Sequence, residues 1–257
     1  MSHKAYLKGR KAFDEMHYKQ AKKIFYENIV DPLCVYGLYT LTKVGFISLK
    51  EECEKINALF KKIFDNILTL AESGDDEATF IVGVCNEKGI NVEPNITKAE
   101  MYYAKSYFQG NLRAGFNLAC CYLERNSYQN ILKALNIYEN LCGHDIIKAY
   151  VNLGCIHLYY PEFFDPDKAI VSLEYAAEHG DALAMYHIGN FYLSEEFGKY
   201  DTVKGIHWLT KAISSGNVEA LYRLGICYKN GESVENDINS ALSLYRQVEL
   251  KGCFNKK

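Results

Sequence analysis

Proline is scarce in this chain of 257 residues, with only four, and long hydrophobic runs are missing altogether. So few prolines leave little room for proline-rich or disordered linkers and are compatible with long helices. No stretch of about 18 apolar residues occurs, so we expect no membrane span. The charged start of the sequence contains no apolar run of signal-peptide length, and the expected location is the cytoplasm.

Blocks of like charge are also lacking. The chain has 29 basic and 32 acidic residues and a formal net charge of -3, with no run of five or six charges of one sign. The sequence therefore offers no basic stripe to neutralise phosphates beside its many aromatic residues. We expect no nucleic acid among its partners.

Motifs of catalysis and metal binding are missing as well. The sequence contains no C-x2-C pair, no H-E-x-x-H, no glycine-rich phosphate loop and no G-x-S-x-G. We therefore expect no catalytic residues, no metal site and no cofactor. An enzyme stays open as a less favoured alternative, since its residues would have to converge from distant parts of the chain.

Small residues recur at a fixed period of 35 or 36 residues. One column consists of Gly83, Ala119, Gly154, Gly189 and Gly225, and five residues before each of its members stand Ala78, Ala114, Ala149, Ala184 and Ala220. A second ladder consists of Ala99, Ala134, Ala169, Gly205 and Ala241. A third column of glycines closes each unit at positions 74, 110, 143, 180, 216 and 252. A period of this size is typical of a helical solenoid.

Each column has a physical interpretation. The alanine and glycine columns mark where helix A of a unit crosses its helix B closely, and the closing glycine ends helix B in a left-handed conformation. The sequence thus predicts an all-α solenoid of about seven antiparallel helix pairs, forming a single repeat domain over residues 1–257. Residues 74–252 hold the regular repeats.

Residues 1–73 are expected to form less regular helix pairs. The first pair has a turn near His17 and ends at Asp31-Pro32. The second has one helix up to about Ser48 and a longer one from Lys50 to Ser73.

The regular units resemble the Sel1-like repeats, a branch of the tetratricopeptide-like helical repeats. The pattern A-x4-G-x2-Y, followed by a loop and D-x2-K-A, is carried by Ala184, Gly189 and Tyr192, and again by Ala220, Gly225, Tyr228, Asp237 and Ala241. The first unit, with Gly9, Tyr18, Ala21 and Pro32, looks more like a plain tetratricopeptide repeat. The usual loop pattern Gly-x-Gly-Val survives only as Gly89 with Val92 and as Gly231 with Val234, so other loop shapes are expected between them.

The resemblance implies a right-handed superhelix whose A helices line a concave face that binds other proteins, and it implies no chemistry. We therefore expect a non-catalytic scaffold or adaptor that binds a peptide or partner protein in this groove. The alternative is a secreted bacterial effector or regulatory protein, exported without a leader, that uses the same groove. The partner's identity and the oligomeric state stay open.

The floor of the predicted groove is a mostly aromatic row along the A helices, with polar residues between its members; the row is Phe80, Phe116, Val151, Tyr186 and Tyr222. A competing interpretation is that the aromatic row packs against the next repeat. The predicted partner-binding set is Arg113, Phe116, Lys148, Asn152, Tyr186, Asn190, Tyr222, Arg223 and Lys229.

Nine cysteines are present, and three of them occupy one slot of the repeat: Cys85, Cys121 and Cys227. A residue type that recurs at one structural slot is expected to serve as a small buried side chain. Cys142 and Cys253, beside closing glycines, are the thiols expected to be exposed. Some secreted bacterial members of the family that these repeats resemble bridge helices through C-x7-C pairs. The lack of that spacing here favours a reducing compartment.

Overall fold

The computed structural model describes residues 4–231 and 237–254, with side chains up to residue 250 in the last helix. Within these ranges the chain is all-α and contains no β-strand. Two short 3-10 turns, Pro161–Phe163 and Glu195–Phe197, stand between helices. The α-helices of the described residues are α1 Lys4–Asp14, α2 Tyr18–Glu27, α3 Pro32–Lys43, α4 Lys50–Glu72, α5 Asp76–Lys88, α6 Ile96–Phe108, α7 Leu112–Glu124, α8 Tyr128–Cys142, α9 Ile147–Tyr159, α10 Pro166–Glu178, α11 Ala182–Tyr192, α12 Thr202–Ser214, α13 Val218–Asn230 and α14 Ile238–Phe254.

The first helix pair turns and ends where the sequence indicates. The turn near His17 is made by Met16, whose φ of 59° lies in the left-handed region. Asp31 follows the pair and caps α3, because its carboxylate accepts a hydrogen bond from the backbone N–H of Leu33. Pro32 fits the first position of α3, where a backbone N–H has no partner within the helix.

The second pair differs from expectation at one boundary. Helix α4 covers Lys50–Glu72, in agreement with the sequence, but α3 ends at Lys43 rather than near Ser48. Gly45 explains the earlier end, since its φ of 76° is a left-handed conformation that a right-handed helix cannot continue through.

Polar side chains cap the repeat helices at their amino termini. In each case the side-chain oxygen accepts a hydrogen bond from a backbone N–H two or three residues further on, which stabilises a helix by about 1 kcal/mol. These caps are Asp75, Asn95, Ser127, Asp165, Asp181, Asp201 and Asn217.

The closing glycines are left-handed in four units, as predicted, and the prediction is wrong for two. Gly74, Gly110, Gly180 and Gly216 have φ values between 85° and 103°. Gly143 has a right-handed φ of -62°, and Asp145 takes the left-handed conformation in its place at 57°. Aspartate tolerates that region because its short polar side chain bonds locally. Gly252 lies inside α14 instead of ending it.

The alanine and glycine columns are the helix crossing points. The alanines of the first column, from Ala78 to Ala220, are all fully buried. A side chain at Gly154 would place its Cβ 2.6 Å from Leu173 Cγ and 3.2 Å from the backbone oxygen of Ala169. Helix A can therefore approach helix B this closely only with a residue as small as glycine at this position.

The loops between helices A and B differ among repeats, as the sequence suggests. Gly89 and Gly231 end α5 and α13 in left-handed conformations. The two loops between them that follow α9 and α11 contain the 3-10 turns instead. Val234, the other member of the second loop pattern, falls outside the described residues.

The helices group into two compact units, Met1–Cys121 and Tyr122–Lys257. In the first unit, α1 packs on α2 and α3, α3 packs on α4, and α5 packs on α4 and α6. In the second unit, each helix from α8 to α14 packs on the next. The predicted all-α solenoid of consecutive helix pairs is confirmed. Within the described residues, no helix is both long enough and apolar enough to cross a bilayer.

Candidate functional site

In the first unit, the A helix α5 is buried along its whole length from Glu77 to Asn86. Phe80, a member of the predicted aromatic row, lies in this core with its ring centroid 5.8 Å from that of Tyr103. The guanidinium of Arg113 covers the same ring at 4.3 Å. For Phe80, the competing interpretation of core packing therefore holds.

Glu77 organises a polar cluster at the start of α5. Its carboxylate accepts hydrogen bonds from the Tyr6 hydroxyl at 2.8 Å and from the Asn111 amide at 2.9 Å, and it forms a 2.5 Å ion pair with Arg113. Burial, followed by the nearby charge of Glu77, raises the pKa of Tyr6 well above its ordinary value, so the hydroxyl remains a donor. The structure therefore gives Arg113 an internal role on this side of the unit.

Two predicted partner-binding residues, Arg113 and Phe116, belong to α7 in this first unit. Both are half-buried. The charge of Arg113 is compensated by Glu77, which the periodicity could have indicated. Positions 77 and 113 are one repeat apart in the same register, so their opposite charges fall on neighbouring helices.

In the second unit, the A helices α9, α11 and α13 become progressively more open. Val151 on α9 is buried, Tyr186 on α11 is half-buried, and Tyr222 on α13 is 56% exposed. These three residues occupy the same register of successive repeats. We call this surface the open A-helix face; it is defined by the remaining predicted residues Lys148, Asn152, Tyr186, Asn190, Tyr222, Arg223 and Lys229.

The two tyrosines of the open A-helix face both pack against other side chains of the second unit. Tyr186 packs against the core cluster that includes Ala220 and Leu224 of α13. The ring of Tyr222 packs against Tyr245 of α14, with centroids 5.5 Å apart. Each ring is therefore partly fixed by the fold and partly available to solvent.

Two side-chain amides of this face, those of Asn152 and Asn190, are available for bonding. Both are half-buried, and among the described residues neither side-chain amide makes a hydrogen bond. The ammonium of Lys148 is exposed and belongs to no ion pair of the described residues, whereas Arg223 directs Nη1 to the Cys227 sulfur at 3.5 Å. Paired amide donors and acceptors of this kind can bind the backbone of a peptide.

A tyrosine that the repeat pattern did not indicate joins two A helices on this face. The Tyr159 hydroxyl lies 3.1 Å from Nδ1 of His187. Burial lowers the pKa of His187 and raises that of Tyr159, so at neutral pH the imidazole is uncharged and the phenol is protonated. The hydroxyl can therefore donate to Nδ1 and link α9 to α11. Tyr159 stands at the end of α9, beyond the columns of small residues, which is why periodicity missed it.

The cysteines whose side chains the structure describes are not joined by disulfides. Cys85, Cys121 and Cys227 are buried, as their shared slot predicts. The prediction that Cys142 is exposed is wrong, because its side chain is buried at the end of α8. The side chain of Cys253 lies outside the described residues. Among the described residues no group of three or more histidine, cysteine or acidic side chains could hold a metal ion.

Burial raises the pKa of Cys34, Cys85, Cys142 and Cys155 to about 12. Since the thiolate is the reactive form, alkylation by iodoacetamide at about pH 8 is expected to be at least about a hundredfold slower in the folded chain than in urea. Peptide mass spectrometry of time points measures each rate. Equal rates for Cys142 in the folded and unfolded chain would contradict its burial.

Parts of this sequence are similar to known proteins. The Sel1 repeat family model matches residues 76–111, 182–217 and 218–247. The ERAD-associated E3 ubiquitin-protein ligase component HRD3A of Arabidopsis thaliana is 26% identical over 192 residues, which cover 67% of this chain and 27% of the plant protein. The chain thus corresponds to about a quarter of that relative's length.

Solved structures of similar fold are also known. A Sel1 repeat protein from Oxalobacter formigenes superposes with a TM-score of 0.70 at 22% identity, covering 95% of this chain and 96% of the other. The protective antigen c5321 of uropathogenic Escherichia coli, described as an SLR fold, gives a TM-score of 0.59 at 20% identity over 96% of this chain and 53% of the antigen. The chain thus matches the Sel1 repeat at three segments and shares its fold with these solved structures.

Proposed function

We propose that this protein is a non-catalytic interaction scaffold that binds a peptide or a segment of a partner protein on the open A-helix face. Sel1-repeat proteins are generally scaffolds without catalytic activity, which supports this function class. The observation that carries the proposal is the pair of half-buried amides, Asn152 and Asn190, without hydrogen bonds among the described residues. In a helical scaffold such groups are free to bond a ligand.

The chemistry of the face suits the backbone of a bound segment. A side-chain amide both donates and accepts, so each asparagine can bond one peptide unit of the ligand. They stand on neighbouring A helices, α9 and α11, which pack on each other. Amide bonding of this kind gives affinity with little dependence on the ligand's sequence.

Selectivity would come from the tyrosines. Tyr222, supported by Tyr245, is exposed, and the half-buried Tyr186 packs against the core cluster that includes residues of α13. Partly immobilised aromatic side chains lose little entropy on binding, and they are enriched among residues that dominate interface energies. We propose that they take up apolar side chains of the ligand.

The cytoplasm, or another reducing compartment, is the proposed location. The described cysteines form no disulfides and are mostly buried, which is consistent with a chain that keeps its thiols reduced.

The test compares the wild-type chain with the triple variant Asn152→Ala, Asn190→Ala, Tyr222→Ala. Partners are captured from the native cell extract, identified by mass spectrometry, and the captured segment is then titrated by calorimetry. The variant is expected to bind at least about tenfold more weakly, because it loses two backbone hydrogen-bonding groups and one aromatic anchor.

A matched control changes the same residue types elsewhere in the second unit: Asn136→Ala, Asn239→Ala, Tyr200→Ala, all exposed. It is expected to bind like the wild type, and circular dichroism confirms that both variants fold. If the two triple variants bind the partner equally, the open A-helix face is not the binding site.

A further inference from the structure

The loops that follow α9 and α11 bring aromatic rings together at one edge of the second unit. The ring of Phe163 stacks on that of Tyr128 with centroids 5.2 Å apart. Phe164 stacks on Phe197 of the next loop at 6.2 Å, and Phe197 stacks in turn on the buried Phe191 at 5.3 Å. We call Tyr128, Phe163, Phe164 and Phe197 the loop ledge.

The first of these loops is held firmly by the fold. The buried His157 bonds the carbonyl oxygen of Phe163 through Nδ1 at 2.9 Å. The backbone N–H of Asp165 donates to the carbonyl oxygen of His157 at 2.9 Å. Two hydrogen bonds to one buried residue thus fix the end of the turn at Phe163 and Asp165, so this part of the ledge is organised before any ligand arrives.

Two of the four ledge residues are nevertheless exposed, while Phe163 and Phe197 are half-buried. Tyr128 is 56% exposed and Phe164 is 47% exposed. Their side chains are stacked on other rings but keep a large area in contact with water. A surface of this kind, on rigid turns, is a site where a partner can bury apolar area.

The two loops that carry most of the ledge have an excess of negative charge. Residues 160–168 and 194–204 contain six acidic and three basic residues. Each lysine already has an aspartate partner: Lys168 lies 3.2 Å from Asp165, Lys204 lies 3.4 Å from Asp201, and Lys199 pairs with Asp167.

Three glutamates are left over. Glu162, Glu195 and Glu196 are exposed and form no ion pair with any described residue. All three stand within two residues of the touching rings of Phe164 and Phe197 in sequence. The ledge therefore combines uncovered aromatic faces with uncompensated negative charge.

We propose that the loop ledge binds a basic peptide segment rich in arginine and lysine. Guanidinium groups stack on aromatic rings and at the same time donate hydrogen bonds to carboxylates. Lysine ammonium groups interact with the same rings and carboxylates, but with less geometric specificity. The site differs in residues and charge from the open A-helix face and does not depend on the proposed function.

Fluorescence anisotropy tests the proposal. The probe is a fluorescein-labelled peptide of alternating arginine, lysine and glycine, and a glutamate peptide of equal length is the comparison. The full chain is expected to bind the basic peptide at low salt and to lose affinity as salt screens the charges. Phe164→Ala and the triple variant Glu162→Gln, Glu195→Gln, Glu196→Gln are each expected to bind at least about tenfold more weakly.

A second triple variant controls for overall charge. Glu139→Gln, Glu178→Gln, Glu249→Gln removes the same number of exposed carboxylates from other parts of the second unit, and it is expected to stay within about twofold of the wild type. Equal weakening by both triple variants would overturn the proposal, because it would reveal attraction to net charge alone. Wild-type affinity of Phe164→Ala, or equal binding of the glutamate peptide, would overturn it as well.

Discussion

Glu77→Ala is expected to lower the free energy of unfolding of the first unit by about 3 kcal/mol. The substitution removes the acceptor shared by Tyr6, Asn111 and Arg113 and leaves three donors facing a cavity. Breaking a fully buried ion pair costs about 3–5 kcal/mol. We take the low end because the Arg113 side chain is 35% exposed, so water can solvate part of its charge.

Urea titration followed by circular dichroism measures this effect, and hydrogen exchange of the α5 amides locates it. Glu72→Ala is the matched control, because it removes an exposed glutamate from α4 that forms no ion pair among the described residues. It is expected to change stability by less than about 0.5 kcal/mol. Equal losses from the two variants would show that the cluster at Glu77 contributes nothing specific.

Tyr6→Phe separates the hydroxyl from the packing of the ring. It removes a single hydrogen bond from the same cluster and leaves the buried ring in place, so a smaller loss of about 1 kcal/mol is expected. A loss as large as that of Glu77→Ala would mean that the hydrogen bond from Tyr6 accounts for the whole effect, and that the bonds to Asn111 and Arg113 contribute nothing measurable.

The burial of α5 shows where sequence reasoning reaches its limit. The columns of alanine and glycine correctly located the helix crossings, because close approach of two helices imposes a local requirement for small side chains. Nothing in the same period reveals that Tyr6 lies against Glu77, 71 residues away. That contact comes from the irregular first helix pair, which shares no register with the later repeats.

Exposure along the A helices was unpredictable for a related reason. Phe80, Val151, Tyr186 and Tyr222 hold equivalent positions, and the sequence treats them alike. Their burial differs because it depends on which other elements pack over each helix. Periodicity therefore places these residues in one register of the A helices but does not show which of them are accessible.

The loop ledge was missed because it lies outside every repeat column. Its aromatic residues stand in the loops after α9 and α11 and at the start of α8, where the family's usual loop pattern is lost. Departure from that pattern was visible in the sequence. The stacking of Phe164 on Phe197 required the three-dimensional path of two consecutive loops.

Gly205→Val is expected to lower the free energy of unfolding of the second unit by about 3 kcal/mol. A Cβ at this position would lie 2.5 Å from Leu193 Cγ and 3.1 Å from the backbone oxygen of Gly189. Neither atom can move easily, since one is the branch point of a buried side chain and the other belongs to the backbone of α11. Overpacking a core typically costs about 1–3 kcal/mol, and valine adds two further methyl groups to the conflict.

The crossing of α11 and α12 makes this position more sensitive than its counterparts. A Cβ at Gly189 would in turn lie 3.2 Å from the backbone oxygen of Gly205, so the two glycines permit reciprocal contact of the backbones. The other described members of the second ladder are alanines, which shows that a methyl group fits elsewhere in this column. At position 205 even alanine is expected to be destabilising, by about 1 kcal/mol, because overpacking outweighs its better helix propensity.

The control must introduce valine into the same helix without crowding the crossing. His207→Val meets this condition, since His207 is exposed on α12 two residues further on, and a change below about 0.5 kcal/mol is expected. Urea unfolding of the three variants and the wild type ranks the effects. If Gly205→Ala were more stable than the wild type, helix propensity would dominate at this site and the backbones could separate without loss. If instead Gly205→Val is the least stable, Gly205→Ala is intermediate and the wild type is the most stable, backbone contact between the helices maintains the period of small residues.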